Sequence, residues 1–85
     1  MSRVRGYHRA MDWRERISED PGIRFGKACV RGTRIAVADV LGWLSSGMTA
    51  EDIVREYPPI TREDVLACLA RAAESERTHH GGDAA

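Results

Sequence analysis

Residues 48–69 read MTAEDIVREYPPITREDVLACL and carry nearly the same phrase twice. TAEDI at 49–53 returns as TREDV at 61–65, with two prolines between the copies. A threonine that accepts from the backbone N–H three residues on, while an acidic side chain at that position reaches back, is a typical helix start. Each copy therefore predicts a helix start. The prolines end the first helix after about two turns, because a residue before proline avoids helical geometry.

A further helix precedes this pair. Its apolar residues recur at i, i+3, i+4 and i+7 from Val37 to Leu44, which places one apolar stripe on a helix. Gly47 is expected to end it, since a left-handed residue just past a helix costs glycine little. The later half of the chain thus predicts three helices, and a tight turn between the last two gives the outline of a helix-turn-helix.

The last helix is expected to begin near Arg62 and to reach about Glu76. Its apolar spacing predicts an inner side made of Val65, Leu66, Leu69 and Ala72. The outer face is then predicted to hold Glu63, Ala67, Ala70, Arg71 and Glu74. Small side chains on that face allow another helix to approach closely. We therefore take Ala67 and Ala70, together with Trp13, as candidate interface residues.

Short apolar runs broken by glycine lie before the helices. Residues 23–37 read IRFGKACVRGTRIAV, with runs around Ile23 and Phe25, around Val30, and around Ile35. Such runs predict two or three short strands in a hairpin or meander, and strands this short need a helical cover. The predicted fold is therefore α+β, with short N-terminal strands followed by a three-helix bundle.

Eighty-five residues are enough for one domain with a thin core. We expect a single domain over residues 13–77, preceded by a flexible arm at 1–12 and followed by a disordered tail at 78–85, because neither end has an apolar pattern.

The zero formal charge conceals an asymmetry. Residues 1–36 hold nine basic and four acidic groups, a net +5, and residues 37–85 hold four basic and nine acidic groups, a net −5. One interpretation is a basic face for an anionic partner, the other that the two halves attract each other within the fold. The first predicts a DNA-facing surface made of Arg24, Lys27, Arg31, Arg34, Arg62 and Arg71.

The sequence carries no constellation typical of an enzyme. Cys29 and Cys68 lack Cys-x-x-Cys spacing and read as small buried hydrophobes, and the histidines fall at the chain ends, away from any nucleophile. We therefore predict no catalysis, no metal and no cofactor. No apolar run approaches the roughly 20 residues of a membrane span, so a cytoplasmic protein without membrane contact is expected.

Four stretches together resemble domain-of-unknown-function family 433. They are RISEDPGI at 16–23, GKACVRGTRIAV at 26–37, LGWLSSGMTAEDIVREYP at 41–58 and ITREDVLACLARA at 60–72. The RGTRI and YP elements are the most distinctive parts of the family pattern. One departure is Ala28, where the family usually has proline after Gly-Lys.

The resemblance implies a small β-strand base followed by a homeodomain-like helix-turn-helix, often dimeric, in bacterial proteins regarded as VapB-type antitoxins. Such proteins are usually encoded beside a PIN-like ribonuclease toxin. They neutralise that toxin and commonly bind their own operator DNA. The expected function is thus a dimeric antitoxin-like protein of a type II toxin-antitoxin module. The competing interpretation is a dimeric protein-interaction module without DNA binding.

Overall fold

The computed structural model of the protein describes residues 12–83, with side chains described for residues 12–77. It confirms a small α+β fold with a two-stranded antiparallel sheet and three helices. The strands are β1 (Ile17–Ser18) and β2 (Cys29–Val30), and the α-helices are α1 (Val37–Ser45), α2 (Ala50–Glu56) and α3 (Arg62–Asp83). Two short 3-10 helices, Trp13–Glu15 and Arg24–Gly26, precede β1 and β2. The predicted flexible arm at 1–12 lies, apart from Asp12, outside the described residues.

Both copies of the repeated phrase begin a helix, as predicted. In α2 the Thr49 hydroxyl accepts from the Asp52 N–H at 3.0 Å, and the Asp52 carboxylate accepts from the Thr49 N–H at 3.0 Å. Thr61 and Asp64 repeat this exchange at the start of α3, at 3.2 and 2.9 Å. These bonds satisfy backbone donors that have no partner inside the helix.

The helix α1 starts with half of the same device. The Asp39 carboxylate accepts from the Ala36 N–H at 3.0 Å, but Ala36 has no side-chain oxygen to complete the exchange. All three helices thus place an aspartate at their third residue. At its other end α1 stops at Ser45, and Gly47, two residues on, has a φ of 109°, which favours glycine, as predicted.

The sheet is smaller than the apolar runs suggested. β1 pairs antiparallel with β2, with Ile17 opposite Val30 and Ser18 opposite Cys29, and one isolated bridge joins Cys29 to Ala36. The run around Ile23 and Phe25 is not a strand, so that part of the prediction was wrong. The chain is turning there, because the Ile23 and Gly22 N–H groups both bond back to Asp20.

The core lies between the sheet and the helices. Its buried members include Ile17, Val30, Val37, Val40, Ile53, Ile60, Val65 and Cys68. Trp43 packs against this cluster and stacks on Tyr57, with ring centroids 3.9 Å apart. The two short strands are therefore covered by helices, as they need to be.

The buried face of α3 differs from the predicted one. Leu66 and Leu69 are 42% and 44% exposed, whereas Ala67 is fully buried beside Cys68. The prediction assumed that α3 is covered on one side only. In the structure α1 and α2 cover one side and the chain segment before β1 covers another, which turns the buried face toward Ala67.

The helix α3 also runs further than predicted. It continues past Glu76 to Asp83, so the backbone of residues 78–83 is helical rather than a disordered tail, while residues 84 and 85 lie outside the described residues. Alanine, glutamate and arginine dominate the stretch before this end, and these residues favour adding turns to a helix that has already formed.

Candidate interaction surface

The first described segment is bound to α3 by three polar contacts. We call Trp13–Arg16 the N-terminal clasp. The Trp13 Nε1–H donates to Glu74 Oε1 at 2.8 Å, and Arg14 Nη2 donates to the other Glu74 oxygen at 2.8 Å. Arg16 Nη1 donates to Asp64 Oδ1 at 3.2 Å. Since Asp64 also caps α3, the clasp and the helix start share one carboxylate.

These contacts act on the titration of Glu74. The hydrogen bond from Trp13 lowers the pKa of Glu74 below its ordinary value, and the bond and charge of Arg14 act in the same direction. The ionised carboxylate is therefore the form that the clasp binds.

Arg31, a predicted DNA contact, makes three hydrogen bonds that support the clasp. Its guanidinium donates to the backbone carbonyls of Arg14 at 3.0 Å, Glu15 at 3.2 Å and Ile17 at 3.1 Å. Three carbonyls facing one cation hold the turn of the clasp against the end of β2. Arg31 is thus committed to the fold of this segment.

Arg71 and Arg62, also predicted DNA contacts, are paired with carboxylates. Arg71 Nη2 donates to Glu19 Oε2 at 2.8 Å, and its guanidinium carbon lies 5.7 Å from the centroid of the Trp13 ring. Arg62 Nη1 donates to Glu51 Oε2 at 2.8 Å, which joins α3 to α2. Trp13, a candidate interface residue, is half-buried between Glu74 and the guanidinium groups of Arg14 and Arg71.

Arg24 anchors the loop that follows the turn at Asp20. Its Nη1 donates to the Arg34 carbonyl at 2.9 Å and to the Asp39 carboxylate at 3.1 Å. The Ala36 N–H is the largest cause that lowers the pKa of Asp39, and Arg24 adds to it. Arg24 thus ties the loop to the first turn of α1.

The next residue, Phe25, is held fully in solvent. Arg24, Phe25 and Gly26 have φ values of 52°, 59° and 81°, so three successive residues adopt left-handed geometry. For a residue with a side chain this costs about 1–2 kcal/mol. We call residues 24–27 the Phe25 loop. The free-energy cost of this geometry is not offset by hydrophobic burial, since the Phe25 ring is fully exposed.

Two cations stand beside this ring without an ion pair in the described part of the chain. Lys27 and Arg34 are exposed, and with Pro21, Gly22, Arg24 and Phe25 they line an open cavity of about 450 Å³. No carboxylate lines this cavity. Of the six predicted DNA contacts, these two alone have side chains without a described hydrogen bond or ion pair, although the charge of Lys27 acts on Asp39.

A second exposed feature is the outer face of α3. Glu63, Leu66, Ala70, Ala73 and Arg77 follow one another at spacings of three and four residues, with Leu69 beside them. We call the apolar members Leu66, Leu69, Ala70 and Ala73 the α3 stripe. Ala70, a candidate interface residue, is half-buried within this stripe, and Ala67, the other one on α3, lies in the core instead.

The described residues offer little for chemistry. Cys29 and Cys68 are both buried and free, as predicted, and burial raises the pKa of the Cys68 thiol to about 12. Among the side chains of residues 12–77 no three histidine, cysteine, aspartate or glutamate residues gather as a metal site, and no helix within residues 12–83 is long and apolar enough to cross a membrane.

Sequence reasoning missed the residues that are now most prominent. Phe25 was assigned to a strand, and Leu66 and Leu69 to the core. The one available signal was the RFGK sequence at 24–27, where an aromatic residue stands between cations and next to a glycine.

Comparison with known proteins gives a family and a fold. The family described as "Protein of unknown function (DUF433)" matches residues 17–72. A crystal structure of a DUF433 member protein from Anabaena variabilis ATCC 29413 is similar, with a TM-score of 0.69 and 23% identity over 99% of this chain and 81% of that one. No curated protein matches the chain.

Proposed function

The chain belongs to the DUF433 family, and from this membership and its exposed α3 stripe we propose that it is a non-catalytic, antitoxin-like protein that binds and neutralises a PIN-like ribonuclease toxin. In this proposal the protein acts by protein–protein contact. α2 and α3 form a helix-turn-helix pair whose second helix presents an apolar face rather than a basic one.

The exposure of Leu66 and Leu69 is the observation that carries the proposal. Two adjacent leucines, each more than two-fifths exposed, form an apolar patch with Ala70 and Ala73 on the longest helix. An apolar patch of this kind on a small domain marks a protein contact more often than a DNA contact, since phosphates select cations. Arg62 and Arg71 each pair with a carboxylate of the same chain, which supports a face of α3 that meets a protein rather than a DNA groove.

A homodimer is the alternative occupant of the stripe, and the charges at its ends favour it. Glu63 stands at one end and Arg77 at the other, both exposed. A two-fold axis that pairs two α3 helices antiparallel would bring each Glu63 toward the Arg77 of the second copy. A parallel pair would instead place like charges together.

Operator DNA stays a secondary partner in this proposal. Among the described residues, Lys27 and Arg34 are the predicted contacts that form no ion pair. Two phosphate contacts make DNA affinity depend only weakly on salt concentration. Operator affinity measured at two salt concentrations tests this part. A steep fall of affinity with salt would indicate more phosphate contacts and favour the six-residue DNA surface predicted from the sequence.

The main test is co-expression with the PIN-like ribonuclease encoded by the neighbouring gene. We expect the wild-type chain to restore growth and to co-purify with the toxin after nuclease treatment. The double variant Leu66→Asp, Leu69→Asp should lose both properties, because two charges would enter the apolar contact.

The matched control is Ala38→Asp, which adds a charge to an exposed position on α1. It should behave as wild type. Light scattering separates the two occupants, since a homodimer contact predicts that the double variant becomes monomeric without toxin. Full toxin neutralisation by a folded double variant would contradict the role of the stripe, and an unrelated neighbouring gene product would contradict the toxin.

A further inference from the structure

We propose that the Phe25 loop binds single-stranded nucleic acid, with an unpaired base stacked on Phe25 and the adjoining phosphates on Lys27 and Arg34. This goes beyond the proposed function, whose toxin contact uses the α3 stripe and shares no residue with this surface. Lys27 and Arg34, named above as secondary contacts for operator phosphates, here serve a strand whose base stacks on Phe25. The inference depends on four observations, namely backbone strain, ring exposure, the fixed position of Arg24 and the free cations.

The loop presents its ring at a cost that the fold does not recover. Phe25 has a φ of 59° and follows Arg24 at 52°, and its side chain is fully exposed. A phenylalanine that served packing would turn inward, and a residue that served only the turn would be glycine, which tolerates this geometry. Strained backbone that persists without a packing reason is a recognised feature of binding sites.

The loop is also held in place before any partner arrives. Arg24 is fixed by the Arg34 carbonyl at 2.9 Å and by Asp39 at 3.1 Å. The Gly26 and Lys27 N–H groups bond back to Ile23 and Arg24, each at 3.1 Å. A loop whose backbone is already fixed loses little further backbone entropy when a flat partner stacks on its ring.

The surroundings of the ring favour a polyanion. The cavity of about 450 Å³ beside Phe25 is lined by Arg24, Lys27 and Arg34, and by no carboxylate. Asp39 forms an ion pair with Arg24, and the charge of Lys27 also lowers its pKa, so this one carboxylate faces two of the three cations and leaves a net positive charge at the cavity. A nucleic-acid strand offers a base for the ring and phosphates for both cations at once.

A protein partner fits this surface less well. Anchor residues at protein interfaces lie within well-packed, desolvated pockets. Here the neighbours of the ring include two solvated cations, whose burial would be costly unless each met its own carboxylate. A duplex fits less well too, because its bases are already stacked on one another and are not free to stack on a side chain.

The test is fluorescence anisotropy with labelled 12-nucleotide strands of dT and rU, and with a 12-base-pair duplex, using the full chain. We expect both single strands to bind more tightly than the duplex, and the comparison of dT with rU tells whether DNA or RNA is preferred. Phe25→Leu should weaken single-strand binding by roughly five- to hundred-fold, whereas Phe25→Trp should retain it, because only the tryptophan has a stacking face.

The cations are tested through salt. The double variant Lys27→Ala, Arg34→Ala should reduce the slope of log affinity against log salt by about 1.4, since each contact with a single strand contributes about 0.7. The matched control is Arg55→Ala, an exposed arginine on α2, which should leave affinity and slope close to wild type.

Several results would overturn the inference: no binding of either strand, equal binding of the duplex, or equal affinities of the Phe25→Leu and Phe25→Trp variants. Capture of the PIN-like toxin that is lost on Phe25→Leu, with no strand binding, would assign the loop to a protein instead. The two proposals can fail separately, because they are tested on different residues. The Leu66→Asp, Leu69→Asp variant should bind the single strands as wild type does even when it no longer binds the toxin.

Discussion

The N-terminal clasp and the Phe25 loop come from the same basic half of the chain and use their charges in opposite ways. In the clasp, Arg14 and Arg16 reach carboxylates of α3 at 2.8 and 3.2 Å. At the Phe25 loop, Arg24 reaches the Asp39 carboxylate of α1 at 3.1 Å, whereas Lys27 and the neighbouring Arg34 stay exposed without an ion pair among the described residues. The net +5 of residues 1–36 therefore does not define a surface. A basic surface is defined by the cations that remain without an ion pair once the fold has formed.

The largest effect is expected where the clasp meets the start of α3. Asp64→Ala removes the cap on the Thr61 N–H and the partner of Arg16 in one step, at a buried position. We expect the free energy of unfolding to fall by about 3 kcal/mol in urea denaturation.

Asp52→Ala is the matched control, because it removes the same kind of cap from α2 without touching the clasp. A loss for Asp64→Ala no larger than the loss for Asp52→Ala would show that the clasp adds nothing to stability.

Two arginines three residues apart sharpen the comparison between the clasp and the loop. Arg31→Ala removes the donors to three carbonyls, and we expect a loss of about 1–2 kcal/mol in unfolding free energy. Arg34→Ala removes an exposed charge without an ion pair among the described residues and should change stability by less than about 0.5 kcal/mol. Equal losses of unfolding free energy for Arg31→Ala and Arg34→Ala would contradict the distinction between arginines that bond within the fold and arginines that stay in solvent.

A gain in stability is expected in the loop. Phe25→Gly should raise the unfolding free energy by up to about 1 kcal/mol, because glycine adopts a φ of 59° without the steric cost. Phe25→Ala is the control, since its Cβ retains the strain. Thermal melts of the two variants check this, and a destabilised Phe25→Gly would mean that the exposed ring supports the fold after all.

The smallest effect is expected from acid acting on the clasp. The pKa of Glu74 is lowered in the fold, so its contribution to stability is present above the ordinary value of 4.5 and is lost as pH falls through the folded value. The difference in melting temperature between wild type and Glu74→Gln should therefore be present at pH 7 and shrink below pH 4.5. Glu56→Gln, at an exposed position on α2, should show no such trend.

The parts of the fold that depend on nearby residues could be predicted from the sequence. The caps at Thr49 and Thr61 and the stop at Gly47 each need only a few neighbouring residues, and the structure has all three. The cap by Asp39 was missed because Ala36 lacks the hydroxyl that completes the pattern.

The errors concern contacts between distant segments. Leu66 and Ala67 exchanged their predicted faces because the clasp, about fifty residues earlier, covers one side of α3. Four arginines of the predicted DNA surface found partners that no local pattern indicates; Arg71, for example, pairs with Glu19. Phe25 was given a strand because aromatic residues favour strands, and the turn bonded to Asp20 overrode that preference.

The buried cysteine on α3 allows the opening of the fold to be measured. A thiol whose pKa is about 12 holds almost no thiolate at neutral pH, and thiolate is the form that reacts with alkylating and disulfide reagents. Cys68 reacts only when the helices separate, so its labelling rate counts those events. A ligand that binds the folded chain more tightly than the opened one lowers the labelling rate of Cys68, whichever surface it occupies. Its binding can therefore be detected without a tag or dye on the ligand.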